Sequence, residues 1–206
     1  MSKSTAWLVM VAAALIAAVC GFWLARDLDS GSPKLASGTW LSSARRLPDF
    51  ALTDQAGRPF TAQNLQGKPT LVFFGFTRCP DVCPTTLVKL AQAKKAAALP
   101  ALQVLFISVD PERDTPTALS RYVHAFDPTF VGATGTAAAL QKITAAFSVA
   151  YAKVPLPGGD YTMDHSAAVF LLNERGEIAA IFTPPFDPRT LAGDLKAAAP
   201  FLAARS

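Results

Sequence analysis

The chain has 206 residues, 51% hydrophobic and 17% charged, with a formal net charge of +4 at pH 7. That length suits one ordinary domain with an appendage and leaves two domains cramped. The mild charge excess, without a run of like charges or a basic stripe interleaved with aromatics, excludes the usual nucleic-acid-binding signatures, so no nucleic-acid partner is expected.

Residues 1–5 precede an uncharged run, Ala6 to Ala25 (AWLVMVAAALIAAVCGFWLA), as long as the roughly 20 residues that cross a bilayer core as a helix. Lys3 lies before it, and Arg26, Asp27 and Asp29 follow without net positive charge. The positive-inside tendency therefore predicts a single-pass inner-membrane anchor, with residues 1–5 in the cytoplasm and the C-terminal domain in the periplasm. A cleaved signal peptide is the competing reading, but the run exceeds the roughly 7–15 apolar residues of such peptides and no Ala-x-Ala site precedes a charged mature start. Lipidation at Cys20 is a third; Val19 places a branched residue where lipoprotein processing wants a small one, so Cys20 reads as an apolar residue of the span.

Residues 26–46, with Gly31, Ser32, Pro33, Ser37, Gly38, Ser42 and Ser43, have the composition of a flexible tether, and the folded domain is expected at 47–206. Asp49 to Leu52 and Pro59 to Thr61 flank Gln55-Ala56-Gly57 as a hairpin. Thr70 to Phe76 (TLVFFGF) and Leu102 to Val109 are continuous apolar runs, as in strands buried on both faces of a sheet. Helices are predicted from Pro84 to Ala98, Thr115 to Phe126, Thr136 to Phe147 and Pro188 to Ala204. A last hairpin joins Ala167 to Leu172 with Glu177 to Phe182 through Asn173-Glu174-Arg175-Gly176. Strands separated by helices imply parallel pairing through right-handed crossovers. The element order is that of an α/β thioredoxin-like plan, a mixed sheet flanked by helices.

Cys79 and Cys83 lie where the first buried strand meets its helix, the edge at which ligands and reactive groups gather in open α/β sheets. Three intervening residues make a wider loop than Cys-x-x-Cys, and either a disulfide or a shared metal fits. Inert buried cysteines or a purely structural disulfide are the plain alternative. Cys83 at the helix start is expected to have a lowered pKa, through the unpaired amides and the dipole there. In a thioredoxin-like plan the loop holding His165 abuts the cysteine loop, giving two thiolates and an imidazole. Soft thiolates suit Cu(I), the nitrogen also suits Cu(II), and zinc is chemically admissible. His124 reads as a surface residue of the second helix. Among Asp110, Glu112 and Asp114, Asp114 is expected to cap that helix.

Three separated segments, Phe74-Gly75-Phe76-Thr77-Arg78-Cys79-Pro80-Asp81-Val82-Cys83-Pro84, Ser108-Val109-Asp110-Pro111-Glu112-Arg113-Asp114-Thr115-Pro116 and Asp164-His165-Ser166, resemble the Sco/SenC family in their order. The resemblance runs from about Leu47 to the C-terminus. It implies a thioredoxin-like fold, copper held by Cys79, Cys83 and His165, and a part in building the binuclear copper centre of cytochrome c oxidase subunit II. It also admits a thiol:disulfide oxidoreductase that uses Cys79 and Cys83 on the copper-ligand cysteines of that subunit. The partners expected are subunit II, the membrane through the N-terminal helix, and another periplasmic copper chaperone as a candidate donor. Cys83-Pro84-Thr85 is also similar to a peroxiredoxin motif, but Pro80 and Phe76 stand where such enzymes place Thr or Ser before the reactive cysteine.

Overall fold

A computed structural model of the chain describes residues 3–29 and 31–203. The chain divides into two compact units, Met1–Pro33 and Lys34–Ser206. The first contains helix α1 (Lys3–Asp29). Within it, side chains are described for Trp7 and from Met10 to Phe22, all exposed and, from Met10 on, without a polar face. Among the described residues, no helix is long and apolar enough to cross a membrane. The described run from Met10 to Phe22 is shorter than the roughly 20 residues a bilayer requires. The expected anchor extends beyond it on both sides, and the side chains of Lys3, Arg26, Asp27 and Asp29, which set the predicted orientation, lie outside the described residues.

The second unit runs through β1 (Gly38–Arg45), β2 (Ala51–Asp54), β3 (Pro59–Thr61), a 3-10 turn (Ala62–Leu65), β4 (Thr70–Gly75), α2 (Val82–Ala97), β5 (Gln103–Ser108), α3 (Pro116–His124), β6 (Val131–Thr134) and α4 (Ala137–Phe147). It continues with β7 (Tyr151–Pro155), β8 (Tyr161–His165), β9 (Val169–Leu172), β10 (Ile178–Phe182) and α5 (Pro188–Leu202). Eight strands form one mixed sheet in the order β1-β10-β9-β4-β5-β6-β2-β3, while β7 and β8 form a separate two-stranded ladder. The β4, β5 and β6 strands are parallel, as their connecting helices require. Every residue of β4 and β5 is buried, so both faces of the sheet centre are covered, which is why these two strands read as unbroken apolar runs. Helix α2 packs against α5, α3 lies against β6, and α4 touches β2.

Local chemistry sets the helix starts. The Thr115 side chain accepts from the Ala118 amide, Thr136 from Ala139 and Asp187 from Thr190, with Pro116 and Pro188 in the first turns of α3 and α5. Thr115, not Asp114, therefore caps α3. The turn predicted at Asn173–Gly176 forms, with Gly176 at a φ of 73° that suits glycine. The end of the last predicted helix, Ala204, lies outside the described residues.

Two parts of the sheet depart from the expected boundaries. Gly38–Arg45, assigned from composition to the tether, instead pairs antiparallel with β10 through Gly38 to Phe182 and Arg45 to Ile178. Ahead of it, the Ala36 and Ser37 amides and the Ser37 hydroxyl all donate to the buried Asp194 carboxylate of α5, at 2.6, 2.8 and 2.6 Å. The hairpin of β7 and β8 had no counterpart in the predicted elements.

Candidate metal centre

Strand β4 ends at Gly75, and the absence of a side chain there is a packing requirement. A Cβ at Gly75 would lie 2.8 Å from Cys83 Sγ and 2.7 Å from the Phe106 ring. The chain then turns through Thr77 and Arg78, with the Cys79 amide donating to the Phe76 carbonyl at 3.3 Å. Helix α2 starts at Val82, so Cys83 sits in its first turn, where amides lack intrahelical partners. The Cys83 N–H finds one in Cys79 Sγ at 3.4 Å. The helix start thus serves the sulfur of Cys79, which is half-buried, and both cysteines are free thiols.

The expected lowering of the Cys83 pKa does not hold. Cys83 is fully buried, and burial pushes its thiol well above the ordinary value. A backbone hydrogen bond at Phe76 opposes this, and the neighbouring Cys79 and Asp114 reinforce it. Withdrawal from water outweighs the helix terminus because removing a thiolate from solvent is costly, while the dipole contribution is modest. A cation that binds this sulfur must displace its proton, which the burial makes costlier.

His165 is the last residue of β8 rather than a loop residue. Its Nδ1 lies 3.1 Å from the Ser166 carbonyl. A carbonyl only accepts, so Nδ1 carries the proton and Nε2 presents its lone pair. Nε2 lies 3.3 Å from Cys83 Sγ. The ring stands edge-on to Phe73 and Phe76, at centroid distances of 6.1 and 6.0 Å. Its other side lines a shallow groove of about 290 Å³ with Ala150, Tyr151, Ala152, Asp164 and Ser166.

The ligand atoms of Cys79, Cys83 and His165 all lie within 4.8 Å of one another. A metal held about 2.0–2.3 Å from each donor spans donor pairs out to about 4.6 Å, so the trio fits one ion with little or no movement. Two sulfurs and an imidazole favour a soft or borderline cation over Mg²⁺ or Ca²⁺. All three residues singled out by sequence are therefore brought together, whereas His124 is exposed on α3 with Ser120 as its neighbour.

Across this region a SCO1/SenC family model matches residues 41–200. The chain belongs to the SCO1/SenC family. The bovine mitochondrial SCO2 homologue is 37% identical over 175 residues, which cover 82% of this chain and 66% of the relative; the chain spans just under two thirds of its length. Among solved structures, copper-bound ScoI of Bradyrhizobium japonicum is 43% identical with a TM-score of 0.67, covering 72% of this chain and 96% of that one. Copper-bound ScoI of Arabidopsis thaliana is 34% identical with a TM-score of 0.71, covering 74% and 98%. The fold is thus the thioredoxin-like SCO1/SenC arrangement.

Around the candidate donors Cys79, Cys83 and His165 of this SCO1/SenC domain lie two groups that the sequence did not assign to the site. Asp114, fully buried, turns inward and accepts from the Thr77 amide at 2.9 Å, the Thr77 hydroxyl at 2.6 Å and the Ser108 hydroxyl. It anchors the loop that carries Cys79 instead of capping a helix. The Tyr122 hydroxyl is buried without a hydrogen-bond partner among the described residues. Burial raises the phenol's pKa, with a further contribution from the nearby Cys83 sulfur. Nothing local in the sequence marks either role, because both depend on α3 and β5 being folded against the cysteine loop.

Proposed function

We propose that this protein carries one copper ion on Cys79, Cys83 and His165 and delivers it during cytochrome c oxidase assembly, with the binuclear centre of subunit II as the destination. The observation that carries this reading is the 3.3 Å approach of the His165 imidazole to Cys83 Sγ, with Cys79 inside the same 4.8 Å cluster. Two thiolates hold Cu(I), and the imidazole adds a donor that also suits Cu(II). Cys79 and His165 are only half-buried, so an incoming thiolate from a partner can reach the ion and replace the ligands one at a time. The copper-bound relatives support the choice of cargo.

The uncharged stretch at 6–25, in a helix running from Lys3 to Asp29, supports a membrane tether that leaves the domain in the periplasm. There the partners would be subunit II and another periplasmic copper chaperone as donor.

A second reading is favoured by one observation, the Cys83 amide directed at the half-exposed Cys79 sulfur. Cys79 as thiolate would attack a disulfide of the partner to form a mixed disulfide. Cys83 would then displace the partner's second thiol, leaving the partner reduced and Cys79–Cys83 oxidised. The distinguishing experiment is competitive Cu(I) titration of the reduced full-length chain in detergent, with His165→Ala beside it. Tight one-to-one binding that collapses in the variant is the result expected of copper delivery. Weak binding indifferent to His165, with rapid exchange against a model disulfide, would replace it with dithiol chemistry.

A further inference from the structure

The hairpin of β7 and β8 carries His165 but shares no backbone ladder with the main sheet, so that sheet's hydrogen bonds do not set where the imidazole stands. The polar ties of the hairpin converge instead on the loop after β5. Arg113 donates through Nη1 to the Tyr161 carbonyl at 2.8 Å and to Asp160 at 3.2 Å. Its guanidinium carbon lies 3.6 Å from the centre of the Tyr161 ring. Arg113 is itself held by Nε on the Asp110 carboxylate at 2.5 Å, and the Tyr161 hydroxyl donates to the other Asp110 oxygen at 2.8 Å. Lys153 of β7 adds an ammonium 3.8 Å from the same ring and donates to Glu112 at 2.7 Å.

The inner part of this cluster is dry, with the Arg113 and Asp110 side chains 11% and 2% exposed. A charge pair so placed, with hydrogen bonds on both carboxylate oxygens, resists displacement more than a surface pair does. The same loop ends at Asp114, whose carboxylate holds the Thr77 amide and hydroxyl beside Cys79. One short segment, Asp110 to Asp114, therefore braces both ligand-bearing parts of the chain, the cysteine loop at one end and the histidine hairpin at the other.

We infer that Arg113, together with Asp110 and Tyr161, is a positioning group that sets the separation between His165 and the two sulfurs, and through it the copper affinity of the site. The inference rests on the three-ligand copper reading above. Without the brace the hairpin no longer holds the imidazole against the sulfurs, and the ion is left with two thiolates. Residues that orient metal ligands commonly affect affinity about 10- to 100-fold.

The test is a double-mutant cycle on the full-length chain in detergent, reading Cu(I) affinity by chelator competition in the parent, Arg113→Met, His165→Ala and the combined variant. Arg113→Met is expected to weaken binding by about 10-fold in the parent. In the His165→Ala background it should weaken binding less than about twofold, because no imidazole is left to position. Tyr161→Phe keeps the ring and loses the bond to Asp110; run through the same cycle, it should weaken binding roughly threefold, and it carries the test if Arg113→Met fails to fold. Equal losses with and without His165 would show general loosening of the domain and overturn the inference, as would unchanged affinity in Arg113→Met or, where that variant does not fold, in Tyr161→Phe. Failure of the copper reading itself shows separately, as a His165→Ala protein that binds like the parent, and it overturns both.

Discussion

Gly75→Ala tests the packing of the site most sharply. The added methyl would lie 2.8 Å from Cys83 Sγ and 2.7 Å from a carbon of the Phe106 ring. Non-bonded heavy atoms rest about 3.5–4.0 Å apart, so each neighbour must retreat by roughly 0.7–1.3 Å. Neither has slack, since Cys83 and Phe106 are both fully buried. Overpacking of this kind costs about 1–3 kcal/mol. At roughly 2–4 °C per kcal/mol for a domain of this size, the apo protein should melt several degrees lower. Metal sites tolerate donor displacements of only about 0.2 Å, so the shift of Cys83 Sγ should also weaken Cu(I) binding by more than the loss of fold stability explains. Thermal unfolding of the apo chain and Cu(I) competition on the same sample read the two effects. A Gly75→Ala protein with parental melting temperature and parental copper affinity would refute the placement of Cys83 against β4.

Alkaline pH should destabilise the apo fold. Burial raises the pKa of both the Cys83 thiol and the Tyr122 phenol above their ordinary values of 9.0 and 10.0. The folded chain therefore keeps two protons that the unfolded chain releases, and stability present below pH 9 is lost as pH rises through 9 and then 10. Denaturant titrations from pH 7 to 11 should show this fall, and Tyr122→Phe should reduce the slope above pH 10 to that of Cys83 alone; a flat profile would contradict the burial of both groups. A fragment beginning at residue 47 should be markedly less stable than one beginning at residue 34. The cut removes β1 and all three donors to the Asp194 carboxylate from Ala36 and Ser37, and stranding a buried charge costs about 3–5 kcal/mol. Equal chemical denaturation midpoints for the two fragments would show that these residues do act as a tether.

The cysteine site was legible because its chemistry is local. A continuous apolar run, a short loop and a helix start stand next to one another in sequence, and they place Cys79 and Cys83 at a sheet edge before any long-range contact is known. The starts of α4 and α5 at Thr136 and Asp187–Pro188 are readable for the same reason, each needing only a side chain and an amide three residues later, whereas at α3 the cap is Thr115 and not the expected Asp114. Strand β1 was hidden because GTWLSSAR carries little apolar alternation and is held by its ladder to β10 and its anchor on Asp194. Strand β7 is mostly exposed and β8 buries only Met163, so no continuous buried face marks them in sequence.

For the site itself, sequence singled out the candidate donors, Cys79, Cys83 and His165, and the fold brings them together and decides what each sulfur and nitrogen experiences. A helix start predicts an easily ionised Cys83, yet β4 and Phe106 close over that sulfur and reverse the direction, leaving the helix amide to Cys79. Asp114 has the residue type of a helix cap, but its neighbours in space are Thr77 and Ser108. His165 meets Cys83 from a hairpin outside the main sheet that is tied to Arg113 and Asp110, far away along the chain. Residue type and short spacing determine which donors exist; burial and long-range hydrogen bonds, summed over segments that no local window contains, determine their protonation and their distance apart.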